Sequence, residues 1–177
     1  MELAKYKAVL CEGSAEEVIL NILLDHHLLI FEREELIEEI VLRCRDAKVF
    51  ERRYLRKAYD GKISVLRILD SRNERFNLSR EYKDKIDVVN IITAPEIEML
   101  IIHSKDAYDE FKKSRKKPSA FCKENLKMQK VKDPSFLQTY FSDPNVLLKA
   151  IEMHDRKCGK KDEFNLSDLL TKNSLSN

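Results

Sequence analysis

Acidic side chains close three apolar stretches of this 177-residue chain. Tyr6–Cys11 stops at Glu12 and Gly13, Ile63–Leu69 stops at Asp70, and Asp87–Ile92 runs into TAPEIE, which carries Glu96 and Glu98. An acid directly closing an apolar run is unusual for structure alone, because carboxylates are seldom buried unless paired. Carboxylates brought together repel and cost stability unless a cation joins them. Hard oxygen ligands of this kind suit Mg²⁺ or Mn²⁺, and such a cation activates water and offsets charge on a phosphate during displacement. Glu16 stands one helical turn after Glu12, and Gly13 leaves room there for a close approach. The other reading of Glu16 and Glu17 is that they are first-turn acids favoured by the helix dipole. His103 falls seven residues after Glu96, on one face if a single helix covers both, where it would carry protons near neutral pH. The alternative is a packed, hydrogen-bonded histidine at the end of an apolar helix. His26, His27 and His154 have no partner visible in the sequence.

The elements around these acids set the fold expectation. Tyr6–Cys11 predicts a buried strand. Ser14, with Glu17 three residues on, predicts a capped helix start, and Val18, Ile19, Ile22 and Leu23 share one side of that helix. Leu28–Phe31 is a short strand candidate, Glu32–Glu39 is helical in composition, and Ile40–Cys44 is a further strand candidate. Ala47–Ala58 predicts an amphipathic helix. Ile63–Leu69 and Asp87–Ile92 predict strong strands, with a short helix at Ser79–Lys85 between them. Strands alternating with helices predict a mostly parallel sheet flanked by helices. From Pro95 onward only helices are predicted: Glu96–His103, Asp106–Ser114, Ser119–Leu126, Pro134–Phe141 and Pro144–Cys158. Pro134 and Pro144 suit the first helical position, and the polar last dozen residues are expected to fray. The division that follows is an α/β core over residues 1–105 and an all-helical extension over 106–177.

Composition narrows the class. The chain is 43% hydrophobic and 36% charged, with 3 Gly and 4 Pro, which argues against wholesale disorder and against an all-β fold. No apolar run approaches the roughly 20 residues of a membrane span, so no membrane association is expected, and no secretory signal is visible. Cys11, Cys44, Cys122 and Cys158 lie far apart without a CxxC pair. That spacing fits neither a zinc site nor a disulfide framework and suggests four reduced cysteines, each buried structurally, in a cytoplasmic protein.

VLCEGSAEEVILNIL resembles the first motif of Toprim domains, most closely the version in OLD-type nucleases, where a strand ends in EG and a second Glu follows in the helix. ILDSRNE is similar to the later strand-end aspartate motif, and PEIEMLIIH to a helix of RloB-like small Toprim-like proteins, with Glu98 and His103 at the family's Glu and His. The resemblance covers about residues 5–105. It implies a Toprim-like fold and Mg²⁺- or Mn²⁺-dependent phosphodiester chemistry, with Glu12, Asp70, Glu98 and His103 as catalytic residues and Glu12, Glu16, Asp70 and Glu74 as metal ligands. It also implies a bacterial or phage defence setting, commonly beside an ABC-type ATPase partner. The sequence departs from the Toprim DxD pattern: Arg72 occupies the second acidic position, and Glu74 replaces that acid only if the loop bends back. Arg72 would instead hold a phosphate.

Residues 112–132 hold nine Lys or Arg against one acid, Glu124. Such a patch attracts a nucleic-acid backbone, so Lys112, Lys113, Arg115, Lys116, Lys117, Lys123 and Lys127 join Arg72 as nucleic-acid-binding candidates, DNA or RNA. Phe111 and Phe121 could stack on unpaired bases. The alternative is a solvated helix-loop-helix with core phenylalanines. Two functions stand at this point: a metal-dependent nuclease, or a catalytically idle Toprim-like interaction or sensor subunit, which Arg72 in place of an acid favours. No GxGxxG or GxxxxGK loop supports a nucleotide-binding alternative.

Overall fold

The computed structural model describes residues 2–172. It is an α/β fold on a four-stranded, all-parallel sheet with the order β2-β1-β3-β4. The strands are β1 (Tyr6–Cys11), β2 (Leu42–Arg43), β3 (Ile63–Leu69) and β4 (Ile86–Ile92). The helices are α1 (Ser14–Asp25), α2 (Ala47–Tyr54), α3 (Met99–Ser104), α4 (Tyr108–Ser114), α5 (Pro118–Glu124), α6 (Pro134–Tyr140) and α7 (Pro144–Cys158). A parallel sheet needs cover on both faces, and alternate strand residues supply two cores. Val9, Cys11, Leu66 and Ile68 pack on the side of α1, α3 and α7. Ala8, Leu10, Ile63 and Val65 pack against Phe50 of α2 on the other side. No helix among the described residues is long and apolar enough to cross a membrane.

Several boundaries differ from the sequence expectation. Gly13, in extended conformation, caps α1, and Ser14 is the first helical residue with no capping bond. Leu28–Phe31 forms a single antiparallel bridge, Leu29 to Leu170, instead of a strand. Its partner segment is the C-terminal stretch expected to fray: Leu166, Leu169 and Leu170 are buried there, while 173–177 lie outside the described residues. Glu32–Glu39 holds two 3-10 turns, Arg33–Glu35 and Ile37–Glu39, and Glu38 within the second has a φ of 59°. The 40–44 strand shrinks to Leu42–Arg43, and α2 stops at Tyr54. Pro134 and Pro144 do open their helices, with Asp133 and Asp143 accepting backbone N–H bonds ahead of them. The C-terminal helices share one apolar core with the sheet: α6 packs on α1 and α7 on α3.

β3 is buried at every residue, yet one of them is Arg67, only 2% exposed. A buried guanidinium is tolerated only where paired and hydrogen-bonded. Arg67 lies over the Phe76 ring at 4.8 Å, donates to Asn90 Oδ1 at 3.2 Å, and stands 3.6 Å from Glu74 Oε2. This requirement folds the loop after β3 back over the sheet. Glu74→Ala leaves the buried charge of Arg67 without its counter-ion and is expected to destabilise the fold by about 3 kcal/mol in urea unfolding, whereas Arg75→Ala, at an exposed neighbour, is expected to change it little.

Candidate functional site

The strand order places β2 on one side of β1 and β3 on the other, so the order in which strands are added reverses at the β1–β3 boundary. Ligand crevices in open α/β sheets form at the carboxyl ends of the strands beside such a switch point. A cavity of about 290 Å³ lies there. Five carboxyls, from Glu12, Glu16, Asp70, Glu96 and Glu98, line it together with Arg45 and Lys132.

Each is set by its own local element. Glu12 follows β1 directly, and Asp70 follows β3 with its side chain exposed. Glu16 folds back over the backbone of Gly13, where a Cβ would lie 2.7 Å from Glu16 Oε2. Glu98 caps α3, and its side chain is 3% exposed with Lys132 Nζ 3.6 Å from Oε1. Burial raises its pKa, and Lys132 offsets part of the effect. Glu96 Oε2 accepts the Ser119 N–H at 2.8 Å, tying the segment after β4 to the start of α5.

Glu74 does not line the cavity, but the bent loop brings it against Glu12 and Arg45. Arg45 Nε stands 3.1 Å from Glu12 Oε1; it donates to Glu74 Oε2 at 3.3 Å, and Arg45 Nη2 donates to Glu74 Oε1. Glu12 Oε1 is buried and receives no well-directed hydrogen bond. Burial first, then the hydrogen bond and charge of Glu74, raise the Glu12 carboxyl from its ordinary 4.5 to about 7. Glu74 moves down, held by Arg45. Glu12 and Glu74 therefore titrate as a pair, with protonation retained to higher pH than an isolated carboxyl shows.

The structure separates the remaining candidates from this cavity. Arg72 turns to the C-terminal segment, with Nε 2.6 Å from Glu163 Oε1. Lys112, Lys113, Arg115, Lys116, Lys117, Lys123 and Lys127 are exposed on α4, α5 and their flanking turns, where Lys116 pairs with Glu124 at 2.7 Å. Phe121 is fully buried with Phe111 edge-on at 5.6 Å, so Phe121 is core and is closed to base stacking. His103 is 1% exposed and sits between the rings of Tyr108 and His154 at 5.1 and 5.5 Å. Helix α3 begins at Met99, so Glu96 and His103 do not share a helix face. From Glu98 to His103 the turn is about 140° around the axis. Burial holds the His103 imidazole down at about 4.

Two cavity residues escaped the sequence reading, Arg45 and Lys132. Arg45 carries the same signal as the acids, a charge just beyond a strand, but β2 has only two residues. Lys132 arrives from far along the chain and has no local signal. His154 and Cys158 also gather beside His103; the sequence reading gave His154 no partner, although the two stand four residues apart on α7.

No protein-family model, curated protein or solved structure matches this chain. What the fold and the cavity define is an α/β protein with a carboxylate-lined crevice at the switch point of a parallel sheet.

A raised carboxyl pKa has a defined consequence for stability. The folded state binds the Glu12 proton more tightly than the unfolded chain, so this contribution is full below about 4.5 and is lost as pH rises to about 7. Glu12→Gln keeps the neutral form at every pH. Its melting temperature is expected to match wild type below that window, to rise above wild type across it, and to stay higher at pH 8 by a few degrees.

Proposed function

We propose that this protein carries out Mg²⁺- or Mn²⁺-dependent phosphodiester chemistry on nucleic acid, on a Toprim-like core with a C-terminal helical extension. The single observation behind this reading is the convergence of acids from three strand ends on one cavity at the switch point. The donors fit such a cation: they are carboxylate oxygens, and Glu12 Oε1 is a buried acceptor without a bonded donor. Glu12, Glu16, Asp70 and Glu98 would hold it, with Glu74 behind Glu12. When bound, the cation supplies Lewis-acid polarisation of a phosphoryl oxygen and a more acidic bound water. The chain's own residues do the rest. Arg45 and Lys132 offset the negative charge of the cavity and draw phosphate toward it. Glu12 would give up the proton it shares with Glu74 as the cation binds and face it as a carboxylate. The exposed lysines of α4 and α5 would hold the backbone, with salt-dependent affinity. A cytoplasmic defence role beside an ABC-type ATPase partner belongs to the same proposal and rests on the motif resemblance alone.

A second reading has its own observation. Arg45 already neutralises Glu12 and Glu74, and Arg72 is engaged by Glu163. A cavity satisfied by internal cations suits a catalytically idle interaction or sensor subunit. Calorimetric titration with Mn²⁺ and Mg²⁺ separates the two. The catalytic reading expects binding by wild type and its loss in Glu12→Gln and Asp70→Asn. It also expects Gly13→Ala to weaken binding without destabilising the fold, because the new Cβ displaces the Glu16 carboxylate. An absence of binding at millimolar metal rejects it in favour of the idle subunit.

A further inference from the structure

The two buried histidines lie outside the acidic cavity and take no part in the proposed chemistry. His103 on α3 is 1% exposed and His154 on α7 is 5% exposed. His103 Nδ1 and Nε2 and His154 Nδ1 have no hydrogen-bond partner. Buried polar atoms in native proteins are nearly always satisfied, so three orphaned ring nitrogens in one place need an explanation. Cys158 supplies the rest of the pattern. One atom from each of His103, His154 and Cys158 lies within 4.8 Å of the others.

We propose that His103, His154 and Cys158 form a binding site for a borderline-soft transition-metal ion, Zn²⁺ by the chemistry of its ligands. Two imidazole nitrogens and a thiolate suit Zn²⁺ and are poor ligands for Mg²⁺. His154 and Cys158 are four residues apart on α7 and so project from one face of a rigid helix. His103 faces them from α3, which packs against α7. A modest closure of this triangle brings its atoms to tetrahedral spacing. Cys158 is partly exposed, which gives an ion a way in and leaves the fourth position to solvent. Binding releases the Cys158 thiol proton to water and leaves both imidazoles neutral, so no redox partner is needed. Tyr108 stacks on the His103 ring, with centroids 5.1 Å apart. The ion would pin α7 to the C-terminal end of α3, while the other end of α3 carries Glu98 to the acidic cavity. The site stands whether or not that cavity is catalytic.

Co²⁺ titration of chelator-treated full-length protein tests the assignment, since Co²⁺ reports its ligands by absorption. Wild type is expected to bind one Co²⁺ with tetrahedral visible bands and a thiolate charge-transfer band, and Zn²⁺ is expected to displace it. Cys158→Ser should lose the charge-transfer band. His154→Asn should weaken binding by more than about 100-fold, since outer-shell losses alone cost roughly 10–100-fold. Glu12→Gln should keep the full spectrum, which separates this site from the acidic one. Zn²⁺ at a hundredfold excess over its Kd should raise the wild-type melting temperature by roughly 5–10 °C, and leave Cys158→Ser unchanged. Wild type decides the matter without any variant. If it shows no charge-transfer band and no Zn²⁺-dependent melting shift, the proposal is overturned, and the histidines are a packed pair satisfied by water.

Discussion

A guanidinium in the middle of a doubly covered strand is the constraint from which the acidic site follows. Arg67 cannot be left unpaired in β3, and water does not reach it. Its counter-ion is Glu74, which lies on the loop beyond the strand. Holding Glu74 there bends the loop back to the carboxyl edge of the sheet. Glu74 then meets Glu12, and each carboxylate makes ionising the other more costly. One proton and one arginine, Arg45, reconcile them. The acid at the end of β1 is thus perturbed first by its own burial and then by a neighbour that a buried charge in the adjacent strand holds in place.

Topology does the remaining work. With β1 and β3 adjacent and parallel, their carboxyl ends open on the same side, and the crossover positions leave a crevice between them. The segment after β4 adds Glu96 and Glu98, fixed by Ser119 N–H and by the start of α3. Lys132 closes the cavity from the C-terminal helices, which share the main apolar core with the sheet. Helix α3 therefore lies between the acidic cavity and the histidine cluster, with Glu98 at one end and His103 at the other.

The sheet was legible because its strands are long apolar runs that stop sharply at acids: β1 and β3 match the sequence bounds, and β4 differs by one residue. Helices α6 and α7 were legible through Asp-Pro starts, where a cap and a preset φ coincide. The gathering of Glu12, Glu16, Asp70, Glu96 and Glu98 followed from strand ends and parallel topology. Elements held by tertiary contact alone were not legible. Leu28–Phe31 pairs with the chain's C-terminal stretch, and no local pattern announces that partner. The return of Glu74 depends on the burial of Arg67, which a period-two reading of β3 treats as an ordinary apolar position. The helix carrying His103 was started three residues early, which placed Glu96 and His103 on one face. Cys158 was judged against other cysteines, although its companions are histidines.

The most direct test of this account is the titration of Glu12 itself, followed by carbon-detected NMR of its labelled carboxyl with and without Mg²⁺. The account predicts a midpoint near 7 in the metal-free protein, a fall toward the ordinary range in Glu74→Gln, and a drop on addition of Mg²⁺. A midpoint near 4.5 that neither Glu74→Gln nor Mg²⁺ moves would contradict it, because Glu12 would then be a solvated charge at a turn.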